Sequence, residues 1–273
     1  MERRHFLTTG LASGLTLATT RVEAQAIHTG TTGLRAGEVK IPVADGALPA
    51  YRACPEGPGP FPVVLVNEEI FGVHDYIKDV CRRLAGAGYL AVAPEIYARL
   101  VDFSKLTDFS RLMPDVVLKA PDATVLSDLD ATLVWAVANG GDASRLGTIG
   151  FCRGGRNVWL YAAHTPRLKA AVAWYGQLAG ARSAIQPRTA LDVAGEIRCP
   201  LLALFGGQDA SIPRADAEAA IARAKAAGAE AEMVVYPDAG HGFHADYRPS
   251  YNPAAATDGW QRTLAWLKGH GVG

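Results

Sequence analysis

The stretch RLGTIGFCRGG (residues 145–155) sets the reading of the chain. Its first half, Arg145 to Phe151, reads as a strand. Its second half opens a segment from Gly154 to Ala163 with helical spacing of apolar residues. Between them Gly150-Phe151-Cys152-Arg153-Gly154-Gly155 places a cysteine on a sharp strand-to-helix turn, the setting of a nucleophile elbow with Cys in place of Ser. Side chains two residues before and after the nucleophile would collide across such a turn, which accounts for Gly150 and Gly154. The helix that starts here points its N-terminus at Cys152 and favours the thiolate. A buried cysteine in a glycine-rich packing turn is the plain alternative.

Outward from this turn, strand-like and helix-like segments alternate. Pro62–Asn67 (PVVLVN), Tyr89–Ala93, Ala170–Trp174, Leu201–Phe205 and Ala231–Tyr236 read as further strands. Asp75–Ala87, Pro121–Ala138, Pro213–Ala227 and Pro253–Lys268 read as helices. This alternation predicts the α/β class, a mostly parallel sheet with helices on both faces. Chemistry in such sheets gathers at the carboxyl ends of the strands.

Two further signals lie on that rim. Asp209 follows the strand Leu201–Phe205 in Phe205-Gly206-Gly207-Gln208-Asp209, and a carboxylate there can orient a histidine. Turn chemistry alone would also place an Asp in this run. His241 follows the last strand in Gly240-His241-Gly242-Phe243-His244. A flexible loop can bring it to the nucleophile, whereas His244 reads as solvated. Nucleophile, acid and histidine thus occur in the chain order of the α/β-hydrolase fold. The expected roles are attack by Cys152, proton transfer by His241, and control of the imidazole tautomer by Asp209. Glu68 and Glu69 end another buried strand. Adjacent carboxylates there are costly unless used; Glu68 is expected to face solvent and Glu69 the site.

The elbow, taken with Glu69-Ile70-Phe71-Gly72, Ala93-Pro94-Glu95-Ile96-Tyr97 and Gly240-His241-Gly242-Phe243, resembles the dienelactone hydrolase (carboxymethylenebutenolidase) family over nearly all of the chain after residue 26. The resemblance implies an α/β-hydrolase fold and hydrolysis of a small ester or lactone through a thioester. It implies that Glu69 contacts the thiol, and that the N–H groups of Ile70 and Arg153 form the oxyanion hole. Substrate contacts fall on Phe71, Tyr97 and Arg99 in this comparison, with Arg248 beyond His241 a further cation. Arg156 reads equally as a surface helix residue. The stretch Val101–Pro121 has little pattern and is expected to contribute to a lid.

The chain has 273 residues, 49% of them apolar, and a formal net charge of zero. Balanced charge gives no footprint for nucleic acid or an anionic membrane as partner. The expected partner is a small-molecule ester or lactone, for a monomer or weak dimer that needs no cofactor or metal. Residues 1–26 carry Arg3-Arg4, a weakly apolar run and Ala24-Gln25-Ala26, which predict a twin-arginine export signal cut after Ala26 and a periplasmic or secreted domain over residues 27–273. The apolar run is too short for a stable membrane span. In such a compartment Cys54 and Cys81 could pair; with Cys199 they otherwise read as small buried hydrophobes, and their wide spacing argues against zinc. Two rivals stand beside the dienelactone hydrolase reading: an esterase or peptidase with an unrelated substrate, and a binding protein on a hydrolase scaffold.

Overall fold

A computed structural model describes residues 26–106 and 108–273. The expected export signal, apart from Ala26 at its cleavage point, lies outside the described residues. Eight strands form one sheet: β1 (Leu34–Val43), β2 (Gly46–Pro55), β3 (Phe61–Asn67), β4 (Leu90–Pro94), β5 (Gly141–Phe151), β6 (Ala170–Trp174), β7 (Leu201–Gly206) and β8 (Ala231–Tyr236). Five longer helices cover it: α1 (Asp75–Gly86), α2 (Asp122–Ala138), α3 (Arg153–His164), α4 (Arg214–Ala226) and α5 (Pro253–Gly269). The spatial order is β1-β2-β4-β3-β5-β6-β7-β8. From β4 to β8 every pairing is parallel, and β2 joins β4 antiparallel. The fold is the expected α/β architecture.

The strands with continuous apolar runs lie in the middle. Val63, Val64, Leu65 and Val66 of β3 are fully buried, as are Ala170 to Trp174 of β6, because helices cover both faces of the parallel region. The hairpin β1–β2 was not expected from the sequence. Its outer strand alternates polar and apolar residues, so only Ile41 of β1 is buried, and its two-residue turn is Ala44-Asp45 before Gly46 at φ 144°. The segment after β4 folds into short helical turns at Phe103–Lys105, Leu112–Asp115 and Val117–Lys119. It packs Phe109 edge-on against Phe71, with ring centroids 5.9 Å apart.

The turn between β5 and α3 is the tightest point of the fold. Cys152 adopts φ 54° and ψ −116°, a conformation that non-glycine residues rarely hold and that surrounding structure must enforce. A Cβ on Gly150 would lie 2.3 Å from the Gly154 carbonyl oxygen, and one on Gly154 would lie 2.2 Å from that of Asn67. Both clashes are with backbone, so nothing can swing aside. The backbone of Cys152 is pinned from outside the turn as well, its N–H donating to the Trp174 carbonyl at 3.1 Å.

Gly154→Ala is therefore expected to lower stability by about 3 kcal/mol or more, at the upper end of overpacking costs. Urea unfolding of the variant beside wild type measures it; an unchanged midpoint would contradict the close approach.

Candidate active site

Cys152 is the N-cap residue of α3 and is only partly buried. The loop after β7 brings Asp209 and the loop after β8 brings His241. His241 Nδ1 lies 2.7 Å from Asp209 Oδ2. The second carboxylate oxygen, Oδ1, accepts from the Ser211 N–H at 2.9 Å and the Ser211 hydroxyl at 2.5 Å. Burial works against the Asp209 charge, but His241 and Ser211 outweigh it and hold the carboxyl below its usual range. Burial likewise opposes charge on His241. Cys152 and the Asp209 carboxylate overcome it and raise the imidazole to about 10. Cys152, His241 and Asp209 thus meet at one place on the rim. Ser211 was missed in the sequence; its position two residues after the acid, where an Asx-type turn forms, was the signal available.

The N–H of Ile70, in the loop after β3, and that of Arg153, in the first turn of α3, have no hydrogen-bond partner among the described residues. First-turn helix donors lack intrahelical acceptors by construction. The Arg153 side chain turns away, donating to Gln186 Oε1 at 2.8 Å. Tyr97 is buried beside this region, and burial pushes its phenol up to about 12.

Several expectations are corrected. Glu69 is fully buried, but its carboxylate partners are not the thiol. Oε2 accepts from the Tyr247 hydroxyl at 2.6 Å and lies 3.6 Å from His74 Nε2, and Oε1 lies 3.1 Å from Arg248 Nη2. Burial alone would raise this carboxyl; Arg248, His74 and Tyr247 together bring it to about 2. Glu68 does not face solvent. It is fully buried, accepts the Ile96 N–H at 2.8 Å, and is raised well above the carboxylate range by burial and by Glu95. Arg99 does not fit the expected substrate role, because its guanidinium is occupied by two carboxylates: Asp45 at 2.7 and 2.8 Å, and Asp128 at 2.7 and 3.0 Å. Arg156 is buried and bonds both oxygens of Asp122 at 2.8 Å. His244 is buried too, with Nδ1 2.7 Å from the Tyr76 hydroxyl, and burial lowers it to about 3. Cys54, Cys81 and Cys199 are buried free thiols, so Cys54 and Cys81 are not joined. Phe71 stands at the site's edge, with the Arg248 guanidinium 5.0 Å from its ring centre.

Residues 48–271 match the model of the dienelactone hydrolase family. The chain belongs to this family. It is 53% identical to a candidate carboxymethylenebutenolidase of Methylorubrum extorquens, over all of this chain and 94% of that one. It is 33% identical to a candidate 2-oxo-3-(5-oxofuran-2-ylidene)propanoate lactonase of Bradyrhizobium, over 81% of this chain and 89% of that one. Among solved structures, a candidate dienelactone hydrolase of Klebsiella pneumoniae superposes with a TM-score of 0.83 at 52% identity, covering 86% of this chain and 98% of that one. The protein is accordingly a carboxylic ester hydrolase of the carboxymethylenebutenolidase-like kind.

The two adjacent glutamates should move stability in opposite directions. Glu69, lowered from 4.5 to about 2, contributes stability that is present above pH 4.5 and lost as pH falls toward 2; at about 1.4 kcal/mol per unit this is about 3 kcal/mol. Glu68, raised above 4.5, carries a penalty that grows as pH rises past that value. At pH 7 Glu69→Gln should melt below wild type and Glu68→Gln above it, the gaps closing toward pH 3. Thermal unfolding across this range tests the signs.

Proposed function

We propose that this dienelactone hydrolase-family enzyme cleaves a small ester or lactone through a thioester on Cys152. The observation that carries the proposal is geometric: Cys152 stands at the N-terminus of α3 within hydrogen-bonding reach of His241, whose Nδ1 lies 2.7 Å from Asp209 Oδ2. A cysteine so placed can attack without a separate deprotonation step. The lactone preference rests on the family and on the Bradyrhizobium relative.

In the first half-reaction the Cys152 sulfur bonds to the substrate carbonyl carbon. The oxygen left negative is stabilised by the Ile70 and Arg153 N–H groups, each donor of this kind being worth about 3–4 kcal/mol. The tetrahedral intermediate collapses, the carbon–oxygen bond to the leaving group breaks, and the imidazolium of His241 gives that oxygen its proton. Acylation also removes the thiolate charge, the leading influence that raises His241 against its burial. Its affinity for protons then falls, and the neutral imidazole can take a proton from the water that cleaves the thioester. Glu69 acts beside this chemistry. Fixed by Tyr247, Arg248 and His74, it anchors the backbone on which the next residue, Ile70, presents its N–H.

The sign of the pH dependence follows. Acylation needs protonated His241 and should be lost as pH rises through about 10, while deacylation needs the neutral ring and should rise with pH at a lower midpoint. Rapid mixing with phenyl acetate, whose leaving phenolate is basic enough to draw on the His241 proton, read as burst and steady state, separates the two limbs, and mass spectrometry of the quenched enzyme should find one acyl group on Cys152. Cys152→Ala should lose about 10⁴-fold or more in rate. An acyl group found elsewhere, or an active alanine variant, would remove the mechanism.

We further propose that the chain is exported folded, on the strength of Arg3-Arg4 and Ala24-Gln25-Ala26. Replacement of both arginines by lysine should shift the protein to the cytoplasmic fraction of cells expressing the full chain. An unchanged periplasmic yield would sink the twin-arginine route.

A further inference from the structure

His74 holds the N-cap position of α1 yet makes no capping hydrogen bond with its side chain. Asn, Asp or Ser at this position would accept from a first-turn N–H and stabilise the helix, and His is a poor substitute. A chain that breaks a local rule in this way commonly does so where function requires another orientation. The ring here is turned toward Glu69 instead. Nε2 is buried with no hydrogen-bond partner among the described residues and lies 3.6 Å from Glu69 Oε2. The ring is fixed in that orientation by an edge-to-face contact with Tyr247 at 4.8 Å and a stacked one with Tyr76 at 5.9 Å. Tyr247 is the residue whose hydroxyl bonds the same carboxylate oxygen.

We infer that His74 is a positioning residue for hydrolysis: it holds Oε2 of Glu69 while Arg248 holds Oε1, and so fixes the Ile70 N–H that faces the developing oxyanion. The inference rests on the proposed role of Glu69 as the anchor of that donor. Arg248 reaches Oε1, and Tyr247 and His74 share Oε2. Without His74 the second oxygen depends on one hydroxyl, and the loop bearing Ile70 gains freedom. An oxyanion donor acts on the transition state and little on the bound ester, so its misplacement should appear in kcat rather than KM.

Two substitutions separate this role from a structural one. His74→Asn supplies the missing cap but cannot reach Glu69; His74→Gln keeps an N–H donor at comparable reach. His74→Asn should raise Tm by about 2–4 °C while lowering kcat ten- to a hundredfold with KM nearly unchanged, the scale of a misplaced catalytic group. His74→Gln should recover kcat to within about threefold of wild type. Both are measured on p-nitrophenyl acetate with the full-length protein, beside Glu69→Gln as a control. If Glu69→Gln is slow but His74→Asn turns over at the wild-type kcat, His74 has no such role. The same conclusion follows if His74→Gln is as slow as His74→Asn. If Glu69→Gln itself keeps the wild-type kcat, the anchoring role of Glu69 fails, and this inference falls with it.

Discussion

The close approach of α3 to the ends of β3 and β5 is the constraint on which the site depends. With Gly154 lying against the carbonyls of Asn67 and Glu68, the chain can turn from strand to helix within one residue, and that residue, Cys152, is forced to positive φ. Three consequences come from this one contact. The thiol is presented at the helix N-terminus, where positive potential favours a thiolate. The Arg153 N–H is left without a partner among the described residues, one residue from Cys152. The loop carrying Ile70 is brought alongside, because its preceding residues are the ones that α3 presses against.

Charge arrangement behind the site follows a second logic. Two carboxylates in sequence, both fully buried, are treated in opposite ways by their surroundings. Glu68 meets another carboxylate and the backbone donors of Ile96 and Tyr97, and the neutral form is favoured. Glu69 meets an arginine, a histidine and a tyrosine, and the charged form is favoured. Residue type did not decide this; the partners did: those of Glu68 come from the segment after β4, and those of Glu69 from the N-cap of α1 and the loop after β8.

That distinction also marks where the sequence was legible. The central strands, the five longer helices and the convergence of Cys152, Asp209 and His241 could all be read from local pattern, because apolar period, glycine spacing and position at strand ends are local properties. The β1–β2 hairpin escaped because an edge strand buries one residue in ten positions and leaves almost no apolar run. Glu68, Arg99, Arg156 and His244 were misplaced because the surroundings of each are set by a partner remote in sequence. Arg99 meets Asp128, 29 residues away, and His244 meets Tyr76, 168 residues away. The chemistry of a charged side chain is set by such pairings, which a single sequence does not display.

The bond between Tyr247 and Glu69 joins residues 178 positions apart. A truncated or nascent chain that stops before β8 lacks His241, Tyr247 and Arg248 together, so it leaves a buried carboxylate without its arginine and a thiol without its histidine. Long-range closure of this kind is slow relative to local structure, and the site is incomplete without it. On the proposed mechanism, turnover is consequently a reporter of finished folding: a population that has formed its central sheet but not docked its last loop would look folded by circular dichroism and remain silent in an esterase assay.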